Sequence, residues 1–335
     1  MESILNFDKL QSLIQSSCSK IDSAWIKRKR KITTLHLLHA LCTLVCKTNS
    51  MGYVRCLLDL DIDISPGAFS KAREKFKWQY VREIFFNLLT VFDSSLSHKD
   101  MWLGHRIFGV DGSGLRMPIN FKNIKYLKSG KSYYPSALIS VLHHLKVEVP
   151  YDMILARHRN ERVCASGHLN KLKKGDVIVY DRGYFSFALL LEHISKEVHA
   201  VFRLSINAFT GVNQFIIGKE KDKIIEKKIN GQLIKIRLVK YSINGKVYVL
   251  ATTLLDPRYT IAHLKDLYHA RWGIEELYKK VKRVYNIEDF HGKTPNKVRQ
   301  ELWAMMICNL LIKWVERLCD KEIKGKKTEK NQGKV

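Results

Sequence analysis

Apolar residues recur at steps of three and four positions through the first hundred residues, the spacing that aligns them on one face of a helix. The pattern covers three ranges, 4–14, 35–45 and 81–92. A fourth helix is predicted to begin at Pro66, because Ser65 before it can cap the free amide groups of a first turn. Residues 1–100 are therefore predicted to form a helical N-terminal domain.

The pattern changes after residue 100, where short apolar runs alternate with helical spacing. Strands are predicted near 107–110, 137–141, 147–155, 177–180 and 200–204, and helices near 161–172 and 185–194. The continuous apolar run Val177–Tyr180 is typical of a strand that is buried on both faces. This order predicts an α/β fold in which helices cover a sheet, with residues 101–205 as its first part.

Residues 206–256 are predicted to form a β-rich insertion. Its strands, near 224–229, 232–241 and 246–252, are separated by the dipeptides Asn230-Gly231 and Asn244-Gly245, which favour two-residue hairpin turns. Helical spacing returns at Thr260, so residues 257–318 are predicted to complete the α/β domain. Residues 319–335 are rich in lysine and poor in apolar residues, which predicts a basic, disordered tail.

The net charge of the chain indicates what kind of partner it binds. The chain of 335 residues has 58 lysine and arginine residues against 32 aspartate and glutamate residues, a formal net charge of +26. An excess of this size favours a polyanionic partner, nucleic acid first and an anionic membrane surface second. In the helical domain, the basic run Lys27–Lys31 fits either a solvated helix entry or a contact with DNA.

Several classes of protein are excluded by the apolar stretches and the cysteines. The longest apolar stretches, 35–46 and 304–315, fall short of the roughly 20 residues that a membrane-spanning helix needs. The N-terminal residues lack the basic-then-apolar pattern of a secretion signal. The seven cysteines have no regular spacing and are interpreted as reduced thiols. We therefore expect a cytoplasmic protein without membrane association.

Two aspartates occupy equivalent positions at predicted strand ends. Asp111 and Asp181 each follow an apolar run and precede a loop that contains glycine. Carboxylates at adjacent strand ends can converge at one edge of a sheet, and a third carboxylate from a helix packed there would complete a triad. Three carboxylates offer the hard oxygen ligands that Mg²⁺ prefers, and two such ions can activate water or a 3′ hydroxyl for attack on a phosphodiester.

The third carboxylate is predicted to be Glu275. On one continuous helix, the four residues Tyr268, Arg271, Glu275 and Lys282 lie within about 60° of one another around the axis. That face would present a carboxylate flanked by two cations and a phenol. Taken alone, the pattern fits an ordinary amphipathic helix with a surface Arg271–Glu275 ion pair better. The two aspartates at strand ends favour the functional interpretation.

The spacing of these four residues resembles the signature of DDE transposases of the insertion sequence 4 family. That signature is Tyr, two residues, Arg, three residues, Glu, six residues and Lys, and the chain matches it at Tyr268, Arg271, Glu275 and Lys282. The segments that begin at Asp111 and Asp181 resemble those of the family's two catalytic aspartates. The resemblance covers roughly residues 60–315.

The resemblance implies a ribonuclease-H-like catalytic core, interrupted by a mainly β insertion where residues 206–256 lie. It implies that Asp111, Asp181 and Glu275 are the catalytic residues and bind two Mg²⁺ ions. Mn²⁺ is expected to substitute for Mg²⁺. Tyr268, Arg271 and Lys282 are implied as DNA-binding residues that grip the terminal backbone and support the glutamate. Some members use a Trp in the insertion for base flipping, and residues 206–255 contain none.

The activity that the resemblance implies is DNA transposition. Members of the family cut at the inverted-repeat ends of their insertion sequence and join the 3′ ends to target DNA. They are expected to act as homodimers on paired ends in the bacterial cytosol. The partners implied are therefore double-stranded DNA and a second copy of the chain, with residues 1–100 as a DNA-binding domain.

Two other functions fit the same residues. A related metal-dependent nuclease with the same core would cleave DNA without strand transfer. A protein derived from a transposase would bind DNA without catalysis, although the complete set of acidic and signature residues counts against it. Inverted repeats in the DNA that flanks the gene would favour the active transposase.

Overall fold

The structure is a computed structural model that describes residues 6–27, 31–46, 62–124, 127–128, 133–283 and 286–332. The chain divides into two compact units. The helical unit comprises Met1–Ser97, Arg116–Pro135 and Lys279–Val335, and the sheet unit comprises His98–Leu115 and Ser136–Tyr278. Of the predicted basic run, residues 28–30 lie outside the described residues.

Helices and strands follow the predicted α/β order. The helices are α1 Phe7–Trp25, α2 Thr34–Cys46, α3 Pro66–Lys75, α4 Trp78–Ser94, α5 Glu161–Leu169, α6 Phe187–Ser195, α7 Val212–Ile217, α8 Ile261–Ala270, α9 Trp272–Arg283 and α10 Pro295–Gln332. The strands are β1 Ile107–Arg116, β2 Leu127–Lys128, β3 Pro135–His144, β4 Val149–Ala156, β5 Val177–Tyr180, β6 His199–Arg203, β7 Asp222–Ile229, β8 Gln232–Ile243 and β9 Lys246–Thr252. Among the described helices, none is both long and apolar enough to cross a membrane.

The helical unit is built from α1 to α4 and α10. Helix α3 begins where the sequence predicts, because the Ser65 hydroxyl accepts a hydrogen bond from the Ala68 amide at 3.2 Å. Helices α4 and α10 pack through aromatic pairs, with ring centroids 5.4 Å apart for Phe85 and Trp303 and 5.7 Å apart for Phe92 and Trp314. The apolar spacing of the first hundred residues thus forms the core of this unit.

A buried ion pair ties α3 to α10 within the helical unit. Arg73 donates to Glu301 at 2.7 Å and to Gln300 at 3.1 Å. Glu301 also accepts hydrogen bonds from the backbone amides of His291 at 3.1 Å and Gly292 at 2.8 Å. A buried carboxylate with this many donors is satisfied, so the pair fixes the segment that leads into α10.

The sheet unit contains a mixed sheet with the strand order β3-β1-β5-β6-β9-β8-β7, and β4 pairs with β3. Strand β5 runs parallel to β1 on one side and to β6 on the other. The predicted central strand Val177–Tyr180 is confirmed, and all four of its residues are buried. Strands β4, β3, β1, β5 and β6 form the part of the sheet where the ribonuclease-H-like core is predicted.

The β-rich insertion continues this same sheet. Strand β9 pairs antiparallel with β6, and β8 and β7 follow as antiparallel neighbours. The turns lie where the sequence predicts them: Asn230 and Gly231 have φ of 50° and 82°, and Asn244 and Gly245 have φ of 48° and 74°. Two successive residues with positive φ make the hairpin turn that Asn-Gly favours.

The core of the sheet unit lies between the sheet and α8. It contains apolar residues of the central strands and of the helix, among them Val179, Val201, Leu250, Leu264 and Leu267. The apolar face of α8 therefore packs on β5, β6 and β8, next to the predicted site.

The C-terminal segment differs from its prediction. Instead of a disordered tail from residue 319, the backbone of α10 continues as one helix of 38 residues to Gln332. Lysine, glutamate and glutamine have high helix propensity, and a helix that is already nucleated and packed at its first part extends at low cost.

Candidate active site

Asp111 lies within β1, and Asp181 directly follows the parallel neighbour β5 at the same level. The prediction that Asp111 ends its strand is wrong, because β1 continues through Gly112 and Gly114 to Arg116. Gly109 of β1 pairs with Val179 of β5, and the same register two residues further brings the two aspartates side by side. Tyr180 pairs with Phe202 of β6, so Arg203 lies level with Asp181 on the next strand. This sheet edge therefore collects two carboxylates and a guanidinium group.

Asp181 is held by donors from two elements. The Tyr268 hydroxyl, on α8, donates to Asp181 Oδ1 at 3.0 Å, and Arg203 Nη1 lies 3.6 Å from the same oxygen. Burial alone would raise the pKa of Asp181, but the Arg182 amide, the Tyr268 hydroxyl and the nearby guanidinium charges lower it below the usual value. Asp181 is thus kept ionised.

Tyr268 is oriented by the same group that faces Asp181. It is buried, and its hydroxyl accepts a hydrogen bond from Arg203 Nη1 at 3.3 Å while donating to Asp181. The Arg203 guanidinium also lies over the Tyr248 ring, 4.6 Å from its centroid. Arg203 therefore links the insertion strand β9 with the site.

Asp111 lies in a different electrostatic environment. Its Oδ1 accepts a hydrogen bond from the Gly112 amide at 2.9 Å. Burial raises the pKa of Asp111 to about 6, and the like charges of Glu161 and Glu275 add to this rise while Gly112 and Arg271 oppose it. The two aspartates therefore differ in acidity although they occupy matching positions.

Arg271 lies among the three predicted carboxylates. Its Nη2 donates to Glu275 Oε1 at 2.8 Å, and its charge also acts on Asp111 and Asp181. The Arg271 side chain is 5% exposed, whereas that of Glu275 is 43% exposed. The pair is therefore a buried guanidinium with an accessible carboxylate, and not the surface ion pair of an ordinary helix.

The signature segment is two helices and not the continuous helix that the spacing predicts. Helix α8 ends at Ala270 and α9 begins at Trp272, with Arg271 between them. The Arg271 amide bonds to the carbonyl of Tyr268, three residues back, so the turn is tighter than in an α-helix. Gly273, a weak helix former, follows directly and is consistent with the break.

Lys282 lies on α9, seven residues after Glu275, with a half-buried side chain. It belongs to the part of α9 that is counted in the helical unit. Its role stays a prediction from the resemblance.

Three residues near the carboxylates give no motif signal in the sequence. The Tyr278 hydroxyl, on α9, donates to the Asp111 carbonyl at 2.8 Å and anchors this helix on β1. Arg203 bonds Tyr268, and Glu161 at the start of α5 acts on Asp111 through its charge. Tyr278 lies one helical turn after Glu275, and Arg203 lies one residue after the last pair between β5 and β6. Their places near the carboxylates become visible only when the packing of α9 and the register of these strands are known.

The predicted carboxylates do not form a closed cluster. Within the described ranges, no three His, Cys, Asp or Glu side chains come close enough to surround one metal ion. Arg271 lies between the acidic side chains instead and bonds to Glu275.

Comparison with known proteins gives consistent results. Residues 102–311 match the family model described as "Transposase DDE domain". The transposase InsG for insertion sequence element IS4 of Escherichia coli (strain K12) is 21% identical over 281 residues, which are 78% of this chain and 63% of that protein. A probable transposase for insertion sequence element IS5377 of Geobacillus stearothermophilus is 22% identical over 149 residues, 42% of this chain and 39% of that protein.

Among solved structures, a cryo-EM structure of the piggyBac transposase synaptic complex with hairpin DNA has a TM-score of 0.47 and 12% identity, covering 96% of this chain and 75% of that chain. The matches to the two curated relatives span less than two thirds of their lengths. The family model, in contrast, covers more than half of this chain, from before β1 to within α10. The chain therefore belongs to the transposases with a DDE domain.

Proposed function

We propose that this chain is the enzyme that cleaves DNA at the inverted-repeat ends of its insertion sequence and joins those ends to target DNA. The observation that carries the proposal is the convergence of Asp111, Asp181 and Glu275 on Arg271. The two aspartates belong to parallel strands, and Glu275 belongs to a helix that comes much later in the sequence. An ordinary structural ion pair would need only one carboxylate beside the arginine.

We further propose that Asp111, Asp181 and Glu275 hold divalent metal ions. The chemistry of the donors suits these ions, because carboxylates are the hard ligands of Mg²⁺, and Mn²⁺ would bind the same oxygens. Asp111 is half-buried beside other acidic groups, a situation that a cation would relieve. When bound, two such ions would activate the attacking water or 3′ hydroxyl and stabilise the leaving oxygen.

The surrounding residues have separate roles in this proposal. Tyr268 and Arg203 hold Asp181 in one orientation and keep it ionised. Tyr278 fixes α9, and with it Glu275, against the backbone of Asp111. Arg271 holds Glu275 through Nη2.

The proposed partner is double-stranded DNA, as terminal repeats and as target, bound by two copies of the chain on paired ends. A net charge of +26 supports a polyanionic partner. In this proposal Lys282 and Arg271 contact the terminal backbone, residues 1–100 serve as a DNA-binding domain, and the basic insertion 206–256 adds to the charged surface.

The experiment that tests the proposal is a cleavage and joining assay with the DNA that flanks the gene. Labelled ends that carry its inverted repeats are incubated with the protein, Mg²⁺ and a supercoiled target plasmid. We expect cleavage at the repeat boundary and covalent joining of the 3′ ends to the plasmid, both lost in Asp181→Asn.

The products distinguish the other functions. Cleavage without joined product would indicate a nuclease, and binding without cleavage would indicate a DNA-binding protein. Cleavage that Asp181→Asn leaves unchanged would contradict the assignment of the site itself.

A further inference from the structure

Glu161 is the first residue of α5, and its position is fixed by the way this helix begins. The Asn160 side chain caps the helix by accepting hydrogen bonds from the amides of Arg162 at 3.2 Å and Val163 at 3.4 Å. Arg162 Nε in turn donates to the Gly183 carbonyl at 2.8 Å. The start of α5 is therefore tied to the loop that follows Asp181.

The Glu161 side chain packs directly against the residue after Asp111. A β-carbon at Gly112 would lie 3.0 Å from Glu161 Cγ, 3.1 Å from Glu161 Cδ and 3.0 Å from Leu138 Cδ1, closer than most such contacts. A larger residue at position 112 would therefore press on the Glu161 side chain, which packs on the backbone beside Asp111. Glu161 thus contacts β1 next to Asp111, and Arg162 contacts the loop after Asp181.

Glu161 lies beside a phenol and a second carboxylate. Tyr184, three residues after Asp181, is buried with its hydroxyl beside Glu161 and Asp111. Glu161 has no ion pair within the described residues, whereas Glu275 is paired with Arg271.

A half-buried carboxylate next to a second carboxylate is unfavourable unless a positive charge compensates for it. Arg271 already bonds Glu275. The chemistry of Glu161 and Asp111 is that of a ligand pair for a hard cation.

We propose that Glu161 is a fourth acidic residue of the active site and helps to bind a divalent ion at Asp111. This inference rests on the proposed function, since it assigns Glu161 to the same metal-dependent centre. It extends the centre from β1, β5 and α9 to the start of α5.

The test is a titration with Mn²⁺ alone, in which free Mn²⁺ is measured by electron paramagnetic resonance in the absence of DNA. Glu161→Gln keeps the volume of the side chain and removes its charge. We expect at least one Mn²⁺ to bind about 10- to 100-fold more weakly, as when a supporting group of a metal site is lost. Glu161→Asp keeps the charge and should retain more of the affinity than Glu161→Gln.

The matched control is Glu197→Gln, which removes an exposed carboxylate of the same unit that pairs with Lys174. Its Mn²⁺ affinity should equal that of the wild type, and thermal unfolding without metal checks that each variant folds. Mn²⁺ affinity of Glu161→Gln within twofold of the wild type would overturn the inference, as would equal losses in Glu161→Asp and Glu161→Gln.

Asp181→Asn separates this inference from the proposed function. If Asp181→Asn loses Mn²⁺ binding and Glu161→Gln does not, only the role of Glu161 is wrong. If neither substitution weakens Mn²⁺ binding, the metal-dependent centre itself is wrong.

Discussion

Asp181 and Asp111 show how two carboxylates in matching strand positions acquire different properties. Asp181 receives a hydroxyl hydrogen bond at 3.0 Å and faces guanidinium groups, which lower its pKa. Asp111 receives one amide hydrogen bond and has acidic neighbours, and burial raises its pKa to about 6. The difference follows from the residues on neighbouring elements and not from the strands themselves.

Removal of the hydroxyl group in Tyr268→Phe should slow DNA cleavage. A hydrogen bond to a charged group contributes about 1.5–3 kcal/mol, so we expect a loss of roughly 10- to 100-fold if Asp181 must be ionised and oriented for catalysis. The measurement is the single-turnover cleavage rate at saturating Mg²⁺.

Tyr259→Phe is the control for this substitution, because the Tyr259 hydroxyl bonds His105 and Arg258 and not a predicted site residue. Its cleavage rate should equal that of the wild type. An unchanged rate in Tyr268→Phe would mean that the hydroxyl does not support Asp181 in the reaction.

The chemistry at the residue scale could be predicted from the sequence only in part. Asp111, Asp181 and Glu275 give a signal because carboxylates that follow apolar runs and the signature spacing can be recognised in the sequence. Arg203 and Glu161 give none, because an arginine at a strand end and a glutamate in a first helical turn are common. Their roles depend on strand register and on the approach at Gly112.

At the scale of elements, the signature segment is shaped by the break between α8 and α9. The tight turn at Arg271 gives Tyr268 and Glu275 separate helices. One helix seats the tyrosine in the core beside β6, and the other carries the glutamate next to β1. The periodicity predicted the helical character of both, but a single-residue tightening leaves no periodic signal.

Helix α6 should make the stability of the sheet unit depend on pH. His193 on this helix is fully buried, donates from Nδ1 to the Val198 carbonyl at 3.0 Å and accepts from the Tyr180 hydroxyl at 2.9 Å. Burial lowers the pKa of His193 from 6.5 to about 4. The folded state therefore holds this side chain neutral at pH values at which the unfolded state binds a proton.

The sign follows from proton linkage. The contribution of His193 to the free energy of unfolding is fully present above pH 6.5 and is lost as the pH falls toward 4. The total loss is about 3 kcal/mol. Urea unfolding at pH 7.5 and pH 5 should give a smaller pH-dependent loss of unfolding free energy in His193→Gln than in the wild type. His98→Gln, at an exposed histidine, should match the wild type. Equal pH dependence in all three proteins would contradict the account.

At the scale of the whole molecule, the charge surplus is distributed over both described units. The basic insertion extends the central sheet through β9, β8 and β7, so its lysines share a sheet with the site residues. Sequence composition predicted a polyanionic partner, and the hydrophobic pattern predicted the order of helices and strands along the chain. The continuation of α10 to Gln332 could not be predicted from the sequence, because a lysine-rich segment forms a helix only when another part of that helix is held by packing.

The proposed contact between Lys282 and DNA predicts how DNA affinity depends on salt concentration. If Lys282 contacts one phosphate, Lys282→Ala should reduce the slope of the logarithm of DNA affinity against the logarithm of salt concentration by about 1. Lys174→Ala removes the same charge before β5, at the end of that strand opposite Asp181, and should leave the slope unchanged. The slopes are measured by fluorescence anisotropy with labelled terminal-repeat DNA. Equal slopes in both variants would place Lys282 outside the DNA contact.

The central claim is that three carboxylates from β1, β5 and α9 act as one metal-dependent centre. The most direct measurement compares Mg²⁺-dependent cleavage of terminal-repeat DNA by Asp111→Asn, Asp181→Asn and Glu275→Gln with that of Glu276→Gln, the neighbouring glutamate on α9. We predict that each of the first three loses about 10³-fold or more in rate while DNA binding persists, and that Glu276→Gln retains wild-type activity. Wild-type cleavage by any one of those three variants would contradict the claim.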